Sequence, residues 1–432
     1  MKKIPLTMLY VALMLYIYIY QIQPVFAYSG FTINYDINLL YLVVLMIITS
    51  LILLLAPQKI YLPSSILSWL MFNLVFVPSI FISYVSGIVT GEEHITLIIT
   101  MCISMLILFL IPRFSIHKLI KVSLNKKVFS IVSLLLITIC YLIIFVFYRP
   151  NISFLFSLTD ISQLYDIRGD FRESASGAPT IARYLFAWTS KVFLPFMFIY
   201  GVANNKKTVI IFSLFTCILL FSATGLKSII LGPVVVFVFW YLLKYREANF
   251  SMLSFILVLV LIFSSLLHVV GFELFNYIIV RRVVITPGFL SGCYIDFFSN
   301  NEFTMLGYSI FSSFVEYSYE YSPSYIIGEY YFGRSEMSAN ANFIATAFAE
   351  FGVIGSIVFS LIVGVMFGII DKISAYKSTV PEISALLLLP MWTLVDTSLP
   401  TALLTHGLGA VVLLLLLIPK RIFTQSKGCF EK

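Results

Sequence analysis

Cations in an apolar chain are the residues here best suited to chemistry. Arg281-Arg282 closes the stretch Phe275-Asn276-Tyr277-Ile278-Ile279-Val280, which reads as a helix lying on or dipping into a membrane interface. A guanidinium fork matches phosphate oxygens through paired, charge-assisted hydrogen bonds. Neighbouring helical residues point about 100° apart, so only one of the two is set to face a site. Lys227 follows Ala223-Thr224-Gly225-Leu226, and Lys191 lies within an apolar run. A charge near the bilayer centre costs at least ~2.5–3.5 kcal/mol, so such a lysine either snorkels to the interface or faces an anionic headgroup. Arg168 and Arg172 are four apart and share a face if their segment is helical, with Asp166, Asp170 and Glu173 as alternative partners.

Acids and amides supply the rest. Tyrosines crowd the segment from Tyr308 to Arg334. Their faces suit sugar C–H surfaces as well as membrane interfaces. Glu316 and Glu320 lie among them, and a carboxylate so placed could act as general base on a hydroxyl. Asp296, Glu302, Glu329, Glu336, His268 and His406 are further candidates. Asn340 and Asn342 suit polar positioning and helix capping equally. Glu350 and Asp396 fall inside apolar segments and call for partners within the bundle. No His/Cys spacing suggests a metal site, and no cofactor is expected.

These groups must be held by a membrane scaffold. Of 432 residues, 60% are hydrophobic and only 11% charged, with mean hydropathy +1.02. A soluble domain is roughly half apolar and a quarter charged. The fold class is therefore all-α and polytopic, because helices are the default where backbone meets lipid. Apolar runs predict twelve spans near 4–22, 37–57, 64–90, 94–112, 128–148, 181–203, 208–224, 228–243, 251–270, 343–370, 383–400 and 402–419. Most match a hydrocarbon layer about 30 Å thick, the seventh, eighth and last two being short, and the first is longer than a signal-peptide core. Residues 1–432 then form a single integral membrane domain with two long outer loops, 149–180 and 271–342, the second bearing interfacial helices.

Orientation follows from lysine and arginine. With both termini cytoplasmic, 18 of the 27 basic residues fall in inner loops. The net charge of +7 thus reflects topology rather than nucleic-acid binding. The other nine lie on the outer side or in spans approaching it: Arg149, Arg168, Arg172, Arg183, Lys191, Lys227, Arg281, Arg282 and Arg334.

Arg281-Arg282-Val-Val-Ile-Thr-Pro287-Gly288, followed by Tyr294 and Asp296-Phe297-Phe298, resembles a loop of bacterial oligosaccharide repeat-unit polymerases, the Wzy-type O-antigen polymerases. Asn340-Ala-Asn342-Phe with Ala349-Glu350-Phe351-Gly352 is similar to the segment after that loop, and Thr224-Gly225-Leu226-Lys227-Ser228 resembles a family turn that usually carries Arg in place of Lys227. The resemblance implies a GT-C-like membrane glycosyltransferase in the bacterial inner membrane. Its substrates would be undecaprenyl-pyrophosphate-linked oligosaccharides, drawn from the lipid bilayer, and a polysaccharide chain-length regulator would be an additional partner. Arg281 and Arg282 would bind pyrophosphate, followed by Lys227 and then Arg168 or Arg172. The rivals are a lipid-linked oligosaccharide flippase and an O-antigen ligase. A flippase would gather its cations in a central cavity, and a ligase would want a histidine between Gly271 and Asn342, where none occurs.

Overall fold

The computed structural model describes residues 3–114, 123–148, 150, 161–246, 248–308 and 312–423, without the side chains of 161–166 and 227. The described residues form helices joined by irregular segments, and ten of these helices are long and apolar enough to cross a membrane. In chain order the elements are α1 (Lys3–Ser29), α2 (Leu39–Leu54), α3 (Pro63–Ser86), α4 (Gly91–Arg113), α5 (Lys126–Tyr148), α6 (Ile161–Gly177), α7 (Thr180–Ala203) and α8 (Lys207–Thr224). There follow α9 (Lys227–Tyr245), α10 (Phe250–Val269), α11 (Asn276–Asn300), α12 (Pro323–Phe332), α13 (Phe343–Lys377), α14 (Val380–Val395), α15 (Leu399–Leu404) and α16 (Leu408–Leu417).

Local chemistry sets many boundaries. Asn38, Asn125, Asn249 and Asn342 each accept backbone N–H bonds at the start of α2, α5, α10 and α13. Five stretches widen to π-helix, at 18–22, 72–76, 144–148, 189–193 and 276–285. Each ends two residues before a proline: Pro24, Pro78, Pro150, Pro195 and Pro287. A proline lacks the N–H that would satisfy the carbonyl one turn back and its ring crowds that carbonyl, so the preceding turn widens.

Contacts define two ends. At the basic end Lys3 Nζ donates to Ala56 O at 2.7 Å, Arg113 to Leu55 O at 2.6 Å, and Ile60 N to Ala248 O at 3.0 Å. Lys244 pairs with Glu382 at 3.3 Å, and Lys377 Nζ donates to the carbonyls of Leu415, Leu416 and Ile418, each at 2.7 Å. The far end joins Thr32 to Ser86 O at 2.8 Å and Gln21 to Ser265 at 2.7 Å. Of the eighteen residues assigned to inner loops, those described cluster at the basic end, while Lys2, Lys118, Lys121, Lys427 and Lys432 lie outside the described residues.

Three expectations change. Residues 271–342 are not one loop: α11 is long, apolar and packed into the bundle, with Phe289, Cys293, Tyr294 and Phe298 buried. Its first and last contacts both lie at the far end, where Asn276 Nδ2 donates to Gln21 Oε1 at 2.7 Å and Tyr331 OH to Asp296. The helix therefore returns the chain to the side it came from. Secondly, the span expected at 343–370 is broken at Phe351 and Gly352. Ser356 Oγ donates to Ile344 O at 2.9 Å, whereas residues twelve apart in a straight helix lie about 18 Å apart. Residues 343–350 thus fold back against 353 onward, and only the latter part descends to the basic end. Thirdly, the runs at 37–57, 383–400 and 402–419 form shorter helices, α2, α14 and α16.

Small residues let α11 press on α3. A Cβ at Gly288 would lie 2.4 Å from the Pro78 backbone, and one at Gly292 would meet Ser83 at 2.8 Å. Gly288→Ala should therefore destabilise the protein by about 1–3 kcal/mol through overpacking, read as a lower melting temperature of detergent-purified protein. Gly169→Ala, with nothing within 4 Å, should leave it unchanged or raised. Equal responses at both positions would mean that α11 does not bear on α3.

Candidate functional site

The far end is built around a junction of α3, α11 and α13. Ser79 Oγ donates to Ser291 Oγ at 2.8 Å, and Asn342 Nδ2 donates to the same oxygen at 2.7 Å. Asn342 Oδ1 accepts Ile344 N and Ala345 N, both at 3.1 Å. Asn342 is fully buried, and these bonds make it a cap that ties the short 343–350 helix to α11. Asn340 is exposed and accepts from Ser338 at 3.2 Å.

Glu350 closes the other end of that short helix. Its Oε2 accepts Thr304 Oγ1 at 2.6 Å and Leu306 N at 2.7 Å, and its Oε1 accepts Tyr308 OH at 2.6 Å. The partner anticipated for this carboxylate is therefore a loop of neutral donors. Burial, then the Glu350 charge, pushes the Tyr308 phenol far above its usual range, so it stays a donor. Met305 (φ 47°) and Leu306 (φ 60°) take left-handed backbone to reach the carboxylate, a conformation that costs of order 1–3 kcal/mol per residue.

The tyrosines turn mostly inward. Tyr294 OH donates to Ala339 O at 3.1 Å, Tyr319 OH to Glu302 O at 2.6 Å, and Tyr331 OH to Asp296. Tyr321, Tyr325 and Tyr330 are the exposed large faces among them. Glu316 and Glu320 are exposed in the irregular segment before α12.

Arg281 and Arg282 sit in the π-helical part of α11. Arg281 is half-buried, donates from Nε to Tyr277 O at 3.2 Å, and stands 4.1 Å over the Phe26 ring. Arg282 is exposed. One turn earlier on the same helix, Ile278 and Ile279 wall an apolar cavity of about 500 Å³ with Leu267, Phe272, Leu274 and Phe275. Arg281 and Arg282 thus follow, about one turn on along the same helix, two of the residues that wall a greasy recess. That arrangement can seat an apolar chain ending in phosphate.

A second cation group lies elsewhere on the far end. Residues 161–177 are helical, so Arg168 and Arg172 do share a face. Arg168 donates from Nε and Nη2 to Gly225 O, both at 3.2 Å, and Arg172 is exposed. Gly225 (φ 62°) ends α8 and leads into Lys227, whose side chain lies outside the described residues, as does Arg149. Arg168 is thereby brought to the Lys227 turn, on a separate apolar cluster that includes Tyr148, Phe186 and Leu220. Arg281 and Asn342 belong to the main core's elements, so the candidates form two groups.

Spacing alone did not reveal a third cluster. Lys191 Nζ bonds His406 Nδ1 at 2.8 Å, with Asp396 in electrostatic reach. The three are 215 residues apart at most, though each was visible as an ionisable residue in an apolar run. Among the described residues, no three His, Cys, Asp or Glu side chains gather as a metal site.

Comparison with family models, curated proteins and solved structures finds no match for this chain. The fold itself defines the class, a multi-pass, all-helical membrane protein.

Glu350→Gln should release the 304–308 loop, because its amide NH₂ would confront donors. Each donor left unsatisfied costs about 1–3 kcal/mol. Hydrogen exchange over 301–308 should rise while α3 and α4 stay protected, whereas unchanged exchange would show that Glu350 does not hold this loop.

Proposed function

We propose that this protein is a membrane glycosyltransferase that polymerises oligosaccharide repeat units. It transfers a growing glycan from undecaprenyl pyrophosphate to a new lipid-linked unit at the periplasmic face of the bacterial inner membrane. In this reading the far end is periplasmic and the basic end cytoplasmic, as the lysine and arginine distribution favours. The supporting observation is the apolar recess walled by Ile278 and Ile279, which lie about one turn before Arg281 and Arg282 on the same helix. A polyprenyl pyrophosphate has the same order of parts, an isoprenoid chain and then a doubly anionic head.

In the reaction the anomeric carbon–oxygen bond to pyrophosphate breaks as the acceptor hydroxyl oxygen bonds to that carbon. The leaving group carries away negative charge, and the transition state has oxocarbenium character. Fixed guanidinium groups aimed at that leaving charge stabilise the transition state more than the ground state. Arg281 rests on a carbonyl and an aromatic ring, so its neighbours leave its charge uncancelled. Arg168, Arg172 and Lys227 serve the second lipid-linked substrate. The hydroxyl proton passes to a carboxylate, for which Glu316 and Glu320 are exposed and available. Asn340 is the amide that can meet glycan, since Asn342 is engaged as a cap.

The test is a glycan ladder from a deletion strain complemented with wild type or with Arg281→Ala/Arg282→Ala. Loss of one preorganised donor costs roughly 10²–10³ in rate, so the double variant should show single repeat units only, with the protein still present in the membrane. A full ladder from the double variant removes the arginines from the site. Loss of all surface glycan, with lipid-linked units stranded on the cytoplasmic face, makes the protein a flippase instead.

A further inference from the structure

The basic end carries a cavity that this reaction does not use. A groove of about 660 Å³ opens between α5, α7, α8 and the segment after α16. Phe129, Phe196, Met197 and Phe212 form its walls, and Lys126 and Lys206 stand in its lining. No carboxylate lines it among the described residues. Both lysines are exposed. Lys206 Nζ donates to Tyr200 OH at 2.8 Å and lies 4.9 Å from that ring, so its partners there are neutral. Phe423 packs on Phe196 and Tyr200.

The place of the groove identifies its occupant. α5 begins at Lys126, α8 begins at Lys207 and α7 ends at Ala203, so three helix ends surround the lysines. Helix ends with lysines lie at the level of lipid headgroups, and the aromatic wall runs from there toward hydrocarbon. A ligand that fits must present negative charge at the interface and an apolar chain below it. We propose that this groove binds an anionic diacyl phospholipid, its phosphate between Lys126 and Lys206 and an acyl chain along Phe129, Phe196 and Phe212. A lysine near an anionic lipid surface contributes about 1 kcal/mol, so the pair accounts for roughly a 30-fold preference over a zwitterionic lipid.

The full-length protein in neutral detergent is titrated with phosphatidylglycerol, phosphatidylcholine, a single-chain polyprenyl phosphate or inorganic phosphate. Bound lipid is counted by native mass spectrometry and the melting temperature is followed in parallel. Phosphatidylglycerol should be retained and should raise the melting temperature. Lys126→Gln/Lys206→Gln should weaken phosphatidylglycerol binding by about 30-fold and leave phosphatidylcholine unchanged. Ser133→Trp, which fills the groove with both lysines intact, should also displace the lipid. Lipid-free melting temperatures close to wild type confirm that both variants are folded. Equal retention of the two lipids, undiminished phosphatidylglycerol binding in the lysine variant, or preference for a single-chain polyprenyl phosphate would overturn the assignment. So would inorganic phosphate matching the stabilisation. None of these measurements involves glycan transfer, so the outcome is independent of the proposed reaction.

Discussion

Inside hydrocarbon a bare peptide N–H or C=O costs several kcal/mol, and every irregularity in this bundle is shaped by that constraint. Five prolines remove a donor within or beside a helix, and each is preceded by a π-helical turn. The one reversal in α13 is capped on both sides. Asn342 takes the first N–H groups of the 343–350 helix, while Thr304 N and Met305 N donate to its last carbonyls, Ala349 O and Glu350 O. The far-end architecture exists because these substitutes for helical bonds are present.

The same economy governs buried charge. Asp371 accepts from the backbone and hydroxyl of Ser64, Glu350 from Thr304, Leu306 and Tyr308, and Lys377 gives its protons to three carbonyls. Lys244–Glu382 is the one ion pair among the described residues. Neutral dipoles satisfy a charge without cancelling it, so the molecule keeps strong local fields at both ends. Arg281 on its carbonyl and ring, and Lys206 on its tyrosine, follow the same pattern. Each retains attraction for an anion from outside.

Hydropathy makes most of the bundle legible, because nine of the twelve expected spans fall on long apolar helices, one of which reverses at Phe351 and Gly352. It failed at α11 for a physical reason. Arg281-Arg282, glycines, serines and tyrosines lower its polarity contrast, yet Gly288, Ser291 and Gly292 are what permit close contact with α3. Polarity that reads as loop in one dimension is helix–helix adhesive in three. Asn342 suits capping and polar positioning equally in the sequence; the bonds from Ile344 N and Ala345 N to its Oδ1 make it a cap, while Ser291, 51 residues away, takes its amide N–H. The tyrosine-rich segment points to carbohydrate or interface, but the hydroxyls of Tyr308, Tyr319 and Tyr331 serve protein acceptors instead. Arg168 and Lys227 were separate candidates until the bond to Gly225 joined them.

The folded-back segment 343–350 also constrains how the chain is assembled in the membrane. Eight helical residues reach only about 12 Å, too short to enter a bilayer as an independent span. Their N-cap, Asn342, is anchored by Ser291 and their last carbonyls are taken by Thr304 and Met305, so those elements must be in place when the segment docks. Membrane insertion of α3, α11 and the descending part of α13 therefore precedes completion of the far end. The region that holds the candidate chemistry is thus a late step of biogenesis, and quality-control proteases would meet it exposed in any chain whose earlier helices fail to pack.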